Sequence, residues 1–192
     1  MSLVSASPRT LADVVPGGLV RNVALVVGGT LFVALSALVQ IPLPFTPVPL
    51  SLQTFAVLLT GAALGSRRGA ASMALYLLAG VAGVPWFAAH HSGWAFASFG
   101  YVAGFVAAAW LAGRLAERGA DRQVLKTAGL MVAGNAVVYA FGVSGLMAFT
   151  GMGVGDALAK GVLPFLVGDV IKIAVAAAVL PAAWKLVGAR GR

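Results

Sequence analysis

The chain has 192 residues, of which 60% are hydrophobic and only 9% charged, and its mean hydropathy is +0.99. A soluble domain of this length carries about 25% charged residues, so the composition is that of an integral membrane protein. There is no cysteine, which excludes a disulfide framework and any thiolate metal site. The formal net charge of +8 raises nucleic acid as a partner, and the distribution of the charge answers that question.

A spanning helix needs roughly 20 mostly apolar residues. Taken in chain order, the candidates are 23–41, 49–64, 69–84, 96–113, 127–149 and a final region, 156–187. The second and third are short. The final region, at 1.5 Å per residue, is about 48 Å long and too long for one straight crossing. Pro164 and Gly168 are expected to break it into a short outer helix and a span over 168–187. The expectation is an all-α membrane protein with six transmembrane helices. A segment 1–20 precedes the membrane domain 21–188, and a tail 189–192 follows it.

The basic residues orient this arrangement. Arg9 and Arg21 precede span one, and Arg67 and Arg68 lie between spans two and three. Arg114, Arg118, Arg122 and Lys126 lie between four and five, and Lys185, Arg190 and Arg192 lie at the end. With six spans these share one side, while loops 42–48, 85–95 and 150–155 carry no basic residue. The positive-inside rule then puts both termini in the cytoplasm. The charge is thus an orientation signal rather than a nucleic-acid surface. The small-residue end of span one, "ALSALVQ", resembles a signal-peptide cleavage site, but cleavage would leave five spans and break the charge pattern, so span one is expected to stay.

Small residues recur at i+4 intervals. They are Gly100, Gly104, Ala108 and Ala112 on span four, Ala174, Ala178 and Ala182 on span six, and Ala24 and Gly28 on span one. Such stripes let helix backbones approach closely in lipid, either inside the bundle or against a partner. The outer connections, "IPLPFTPVPL", "VPWFAAHHSGWAF" and "TGMGVG", are rich in Pro, Gly and aromatics. Irregular backbone near membrane depth survives only where protein or a wet cavity satisfies it. A pocket open to the outside and lidded by these loops is the expectation.

The polar groups at depth are few. Asp169 and Lys172, in "LPFLVGDVIK", are the clearest, because an ionisable residue inside the membrane is a functional-site hypothesis by default. Their i,i+3 spacing puts both on one helix face. Asp accepts and Lys donates, so the pair can bind a neutral ring carrying N–H and C=O groups, or can simply hold the bundle together. Gln53 lies one turn into span two, Tyr76 in span three, Tyr101 in span four and Asn135 in span five; each is either a core residue or a ligand contact. Trp86, Phe87 and Trp94 read first as interfacial aromatics. His90 and His91 lack a third ligand, so no metal is expected. Lys160 stands near the outer mouth. No G-x-x-x-x-G-K-[ST], H-E-x-x-H or G-x-S-x-G motif occurs. The pattern is a substrate-capturing membrane subunit that takes its energy from another protein.

Five segments carry a resemblance. They are "QIPLPFTPVPLSLQTFAVLLTGAALG", "RRGAASMALYLLAGVAGVPWFA", "FGYVAGF", "GNAVVYAFGV" and "LPFLVGDVIK", which together cover most of 40–175. The chain resembles the BioY family, biotin-capturing S components of energy-coupling factor (ECF) transporters. The resemblance implies a six-helix S-component fold in the cell membrane, and biotin held under the outer loops. It implies as partners a transmembrane T component and two cytoplasmic ABC ATPases, and no cofactor. It matches Asp169 and Lys172 to the family's polar anchor, with Asp169 accepting a ureido N–H. It also matches Gln53, Tyr101 and Asn135, and puts Phe87 at the start of the capping loop, Phe87–Trp94. Where the family pattern is glycine-rich, this chain has "HHSGWAFASFGY", so a reshaped lid is expected. Lid N–H groups, His90, His91 and Lys160 remain alternatives for holding the biotin carboxylate. Two other readings are an S component for a different vitamin and a small intramembrane enzyme using Asp169.

Overall fold

The computed structural model describes residues 10–190. Residues 1–9 of the expected N-terminal segment, including Arg9, and Arg192 and the side chain of Arg190 lie outside the described residues. Seven α-helices and one two-stranded ladder make up the regular structure of the described residues, with short 3-10 turns between them. In order they are α1 (Leu19–Ser36), β1 (Gln40–Ile41), β2 (Leu50–Ser51), α2 (Gln53–Leu64), α3 (Ser66–Val81), α4 (Phe99–Ala116), α5 (Val124–Thr150), α6 (Val154–Gly161) and α7 (Leu166–Arg190).

Four helical stretches are long and apolar enough to cross a membrane: Leu19–Ser36, Phe99–Ala116, Val124–Thr150 and Val154–Val187. The 12 residues of α2 and 16 of α3 give lengths of about 18 and 24 Å, short of the roughly 30 Å hydrocarbon core. These two form a tight pair joined by Gly65 alone. Its φ of 87° and ψ of 171° suit glycine and almost no other residue.

The helices meet where side chains are absent. A Cβ on Gly61 of α2 would stand 2.4 Å from the Ala109 carbonyl oxygen of α4. One on Gly100 of α4 would stand 2.8 Å from the Cα of Gly145 on α5. The α4 stripe is therefore internal packing: Gly100 and Gly104 lie against α5, and Ala108 and Ala112 are fully buried. The other two stripes differ, because Ala24, Gly28, Ala174, Ala178 and Ala182 all face outward.

Besides shifts of three or four residues at the start of α1 and at both ends of α3 and α4, three departures from the expected boundaries bear on the site. Helix α1 stops at Ser36 rather than at 41, and α2 begins at Gln53 rather than 49. Between them, Pro42, Pro44, Pro47 and Pro49 hold the chain extended, since each lacks an N–H and biases its predecessor away from helix. The flanks of this run pair antiparallel, Gln40 with Ser51 and Ile41 with Leu50, which leaves every proline in the loop and none in the ladder. Gln53 is accordingly the first residue of its helix and not one turn inside it. The final break falls at Val162 (φ −128°, ψ −58°) and the 3-10 turn Leu163–Phe165, where Pro164 sits; Gly168 lies within the first turn of α7 and breaks nothing.

Hydrogen bonds fix which segments share an end of the bundle. At one end the Gln40 side chain accepts from the Ala89 amide (2.9 Å) and Thr46 Oγ1 donates to the Lys160 carbonyl (2.8 Å). Tyr101 donates to the Gly161 carbonyl there (2.8 Å). At the other end Arg68 pairs with Asp13, Glu117 caps Ser66, and Trp184 donates to Asp121. The described basic residues other than Lys160 and Lys172 cluster in the segments of this second end.

Candidate functional site

Helix α7 leaves the 162–165 break with Asp169 on its first turn and Lys172 one turn on. Lys172 Nζ lies 3.4 Å from Asp169 Oδ1, and the two side chains are only 12% and 7% exposed. Each charge has a second partner. Tyr139 on α5 donates its hydroxyl to Asp169 Oδ2, and Lys172 donates to Thr54 Oγ1 on α2 at 2.9 Å. Three helices thus fix one carboxylate and one ammonium. A lysine has three protons to donate and only two are used here, while each carboxylate oxygen keeps a free lone pair.

The pair forms one wall of a cavity of about 530 Å³, part of it continuous with solvent. Val48, Pro49, Leu50 and Ser51 of the paired loop close it from the lid side, and Ala88 and Ser98 come from the long connection before α4. Val102, Phe105 and Phe165 supply apolar lining; Ser51, Ser98, Gln53 and Tyr101 add polar groups to the charged pair and its partners. Such a cavity suits a ligand with an apolar body and a compact polar head that both donates and accepts.

The expected site residues separate into two groups. Asp169, Lys172, Gln53 and Tyr101 all line the cavity. Gln53 uses its amide nitrogen on the Tyr76 hydroxyl (2.6 Å), which in turn donates to the Trp86 carbonyl (2.9 Å). Asn135 is buried on α5 four residues before Tyr139 but is not part of the lining. Phe87 is not part of it either. It is 2% exposed, wedged over Gly80, with Tyr76 edge-on at 5.2 Å and Phe96 at 5.6 Å. Neither Phe87 nor Trp86 is therefore an interfacial belt residue: Trp86 stacks on Tyr76 at 5.3 Å and donates to its carbonyl. Trp94, in contrast, is 70% exposed.

The lid carries local strain. Ala89 and His90 are consecutive non-glycine residues at φ 58° and 57°, a region costing of order 1–3 kcal/mol each. The Gln40–Ala89 bond and the stacking of His91 on Phe96 (4.8 Å, 8°) hold that turn in place. Lys160 is exposed on α6 and does not line the cavity. No group of three or more His, Asp or Glu residues able to hold a metal occurs among the described residues.

Thr54 and Tyr139 are the partners that sequence reasoning did not single out. A signal existed for both. Tyr139 lies four residues after Asn135 within "GNAVVYAFGV", and Thr54 follows Gln53 in "LQTF".

Comparisons with known proteins bear on this fold and site together. The model of the BioY family matches residues 6–189. A protein of Rhizobium etli named biotin transporter BioY is 37% identical over 157 residues, covering 77% of this chain and 83% of its own. A probable biotin transporter BioY of Pyrococcus horikoshii is 38% identical over 160 residues, covering 81% and 91%. The crystal structure of the S-component for biotin from an ECF-type ABC transporter aligns with a TM-score of 0.76 at 22% identity, over 86% of this chain and 92% of that one. That likeness establishes a shared helical membrane fold, and with the match across nearly the whole sequence the chain belongs to the BioY family.

Proposed function

We propose that this chain is a biotin-binding membrane subunit for biotin uptake. The observation that carries the reading is the Asp169–Lys172 pair, held by Tyr139 and Thr54 on one wall of a lidded cavity of mixed apolar and polar lining. A ureido ring presents N–H donors and a C=O acceptor on adjacent edges. Asp169 accepts from a ureido N–H, and the spare proton of Lys172 goes to the ureido oxygen. The sulfur ring and aliphatic chain lie against Val102, Phe105 and Phe165. Biotin transporters among its relatives support the choice of ligand.

The chain contains no G-x-x-x-x-G-K-[ST] motif, and the role of an S component is to borrow energy. A transmembrane T component and two ABC ATPases of an ECF module complete the transporter in this reading, in a prokaryotic cell membrane. The outward stripes Ala24–Gly28 and Ala174–Ala178–Ala182 are the surfaces available for the T component. Six crossings with both termini cytoplasmic follow from the clustering of basic residues away from the lid. Nothing here calls for catalysis; the protein carries its ligand unchanged.

Titration of the purified chain in detergent tests the ligand. Saturable binding of biotin is expected, with no binding of lipoate, which has a comparable acid chain and sulfur ring but no ureido group. Absence of biotin binding, or equal binding of lipoate, overturns the reading. Reporter fusions at Arg68 and His91 are expected on opposite sides of the membrane.

A further inference from the structure

At the end of the bundle opposite the lid, a cleft of about 700 Å³ opens between the turn before α1, the start of α3 and the end of α4. Arg67, Arg68 and Arg114 line it together with Asp13 and Glu117. Both carboxylates are already engaged. Asp13 Oδ1 takes Arg68 Nη2 at 2.5 Å. Glu117 takes Arg114 at 3.2 Å and caps Ser66 through its amide (2.8 Å) and hydroxyl (2.7 Å). Burial pushes both carboxyls up, but the bonds from Arg68 and Thr10, and from Ser66 and Arg114, outweigh it and hold them below their ordinary values. They stay ionised, so the cleft carries one surplus positive charge.

Two donor groups are left over. Arg67 forms no ion pair among the described residues. Arg68 Nη1 is buried without any hydrogen-bond acceptor. A buried guanidinium donor left unpaired is costly, and such a group calls for an acceptor the chain does not itself supply. Directly after Asp13 in the chain, Val14 and Val15 are exposed, and Leu19 (78%) and Val20 (84%) are exposed in the first turn of α1, the helix that follows. An anionic oxygen cluster attached to a hydrocarbon tail matches both features; a free anion uses only the first.

We infer that this cleft binds the phosphate headgroup of an anionic phospholipid, with Arg67 and Arg68 Nη1 on the phosphate oxygens and an acyl chain along Val15, Leu19 and Val20. Basic pockets at helix ends on the loop-charged face of membrane proteins take anionic headgroups in this way. The inference needs the chain to lie in a bilayer and is independent of what the lidded cavity holds.

The test is a thermal-shift titration of the full chain in detergent with phosphatidylglycerol, phosphatidylcholine or inorganic phosphate. Stabilisation by phosphatidylglycerol alone is expected. Arg67→Gln, which leaves the Asp13–Arg68 pair intact, is expected to weaken the apparent phosphatidylglycerol affinity about fivefold without changing ligand binding in the lidded cavity. Equal stabilisation by both lipids, or an unchanged response in Arg67→Gln, overturns the proposal. Stabilisation by inorganic phosphate that Arg67→Gln removes shows a free-anion site instead of a lipid site, and overturns it too.

Discussion

Replacing Asp169 by Asn, alone and together with Lys172→Met, separates two roles that one substitution would confuse. At 3.4 Å the pair interacts by about 5 kcal/mol at an effective dielectric of 20. Asp169→Asn removes that and leaves Lys172, 12% exposed, with Thr54 as its remaining partner. Breaking a buried pair from one side destabilises by about 3–5 kcal/mol, whereas replacing both charges by groups of similar size is often neutral. The single variant should therefore unfold at a clearly lower temperature, and the double variant should recover. Binding behaves differently. A hydrogen bond from a ligand to a charged group contributes about 1.5–3 kcal/mol, so Asp169→Asn should bind biotin about 10- to 150-fold more weakly and the double variant, which loses two such bonds, at least as weakly. Calorimetric titration in detergent beside thermal unfolding reads both quantities. Recovery of affinity in the double variant, or a loss below about threefold in Asp169→Asn, would refute the assignment of the pair to ligand binding.

Three further outcomes follow from the packing and the lid. Gly61→Val places a side chain where 2.4 Å separates the first added carbon from the Ala109 carbonyl, so unfolding at a markedly lower temperature is expected, of order 1–3 kcal/mol; a melting temperature within error of the parent would contradict the close approach. Thr46→Val removes the bond to the Lys160 carbonyl, and release of biotin in stopped flow should speed up about fivefold while the melting temperature hardly moves; an unchanged release rate would show that the lid does not depend on that tie. Burial raises the Asp121 carboxyl above its ordinary value of 3.8 against the pull of Trp184 and Arg122. The folded chain then holds the proton more tightly than the unfolded one, so stability falls as pH rises from 3.8 through the raised value and is level above it. Asp121→Asn keeps an acceptor for Trp184 without the buried charge, so it should melt higher than the parent at pH 8, with the gap closing toward pH 4; a gap independent of pH counts against this account.

The parts of the molecule legible in the sequence are those where a single residue is expensive. Asp169 and Lys172 stood out because charge in an apolar stretch demands a reason, and both line the cavity. The long helices were readable from unbroken apolar runs, and the break before α7 from Pro164. The paired strands Gln40–Ile41 and Leu50–Ser51 were not, because two residues carry no alternation to detect. The prolines announced a loop but not that its ends would meet. Tyr139 and Thr54 were missed for another reason. Each lies near a polar residue, Tyr139 four after Asn135 and Thr54 next to Gln53, but on a mostly apolar helix that spacing does not say which way a hydroxyl faces, and only the packed neighbours decide whether it meets a charged group or lipid. Phe87 misled in the opposite direction: an aromatic beside Pro85 and Trp86 looks interfacial until the chain folds back and seats it on Gly80.

The lid is latched in an economical way. Gln40, Thr46 and Tyr101 each reach across to another segment, and each lands on main chain: the Ala89 amide, the Lys160 carbonyl and the Gly161 carbonyl. A latch that grips backbone is blind to the side chains it grips. The three bonds themselves therefore leave most of residues 88–98 and 154–161 free to change identity; the exceptions are Gly161, where a Cβ would stand 2.4 Å from the Tyr101 hydroxyl, the buried Phe96 and Ala157, and His91, stacked on Phe96. A homologue with quite different lid residues can close in the same way, so long as three polar side chains outside those stretches keep their reach.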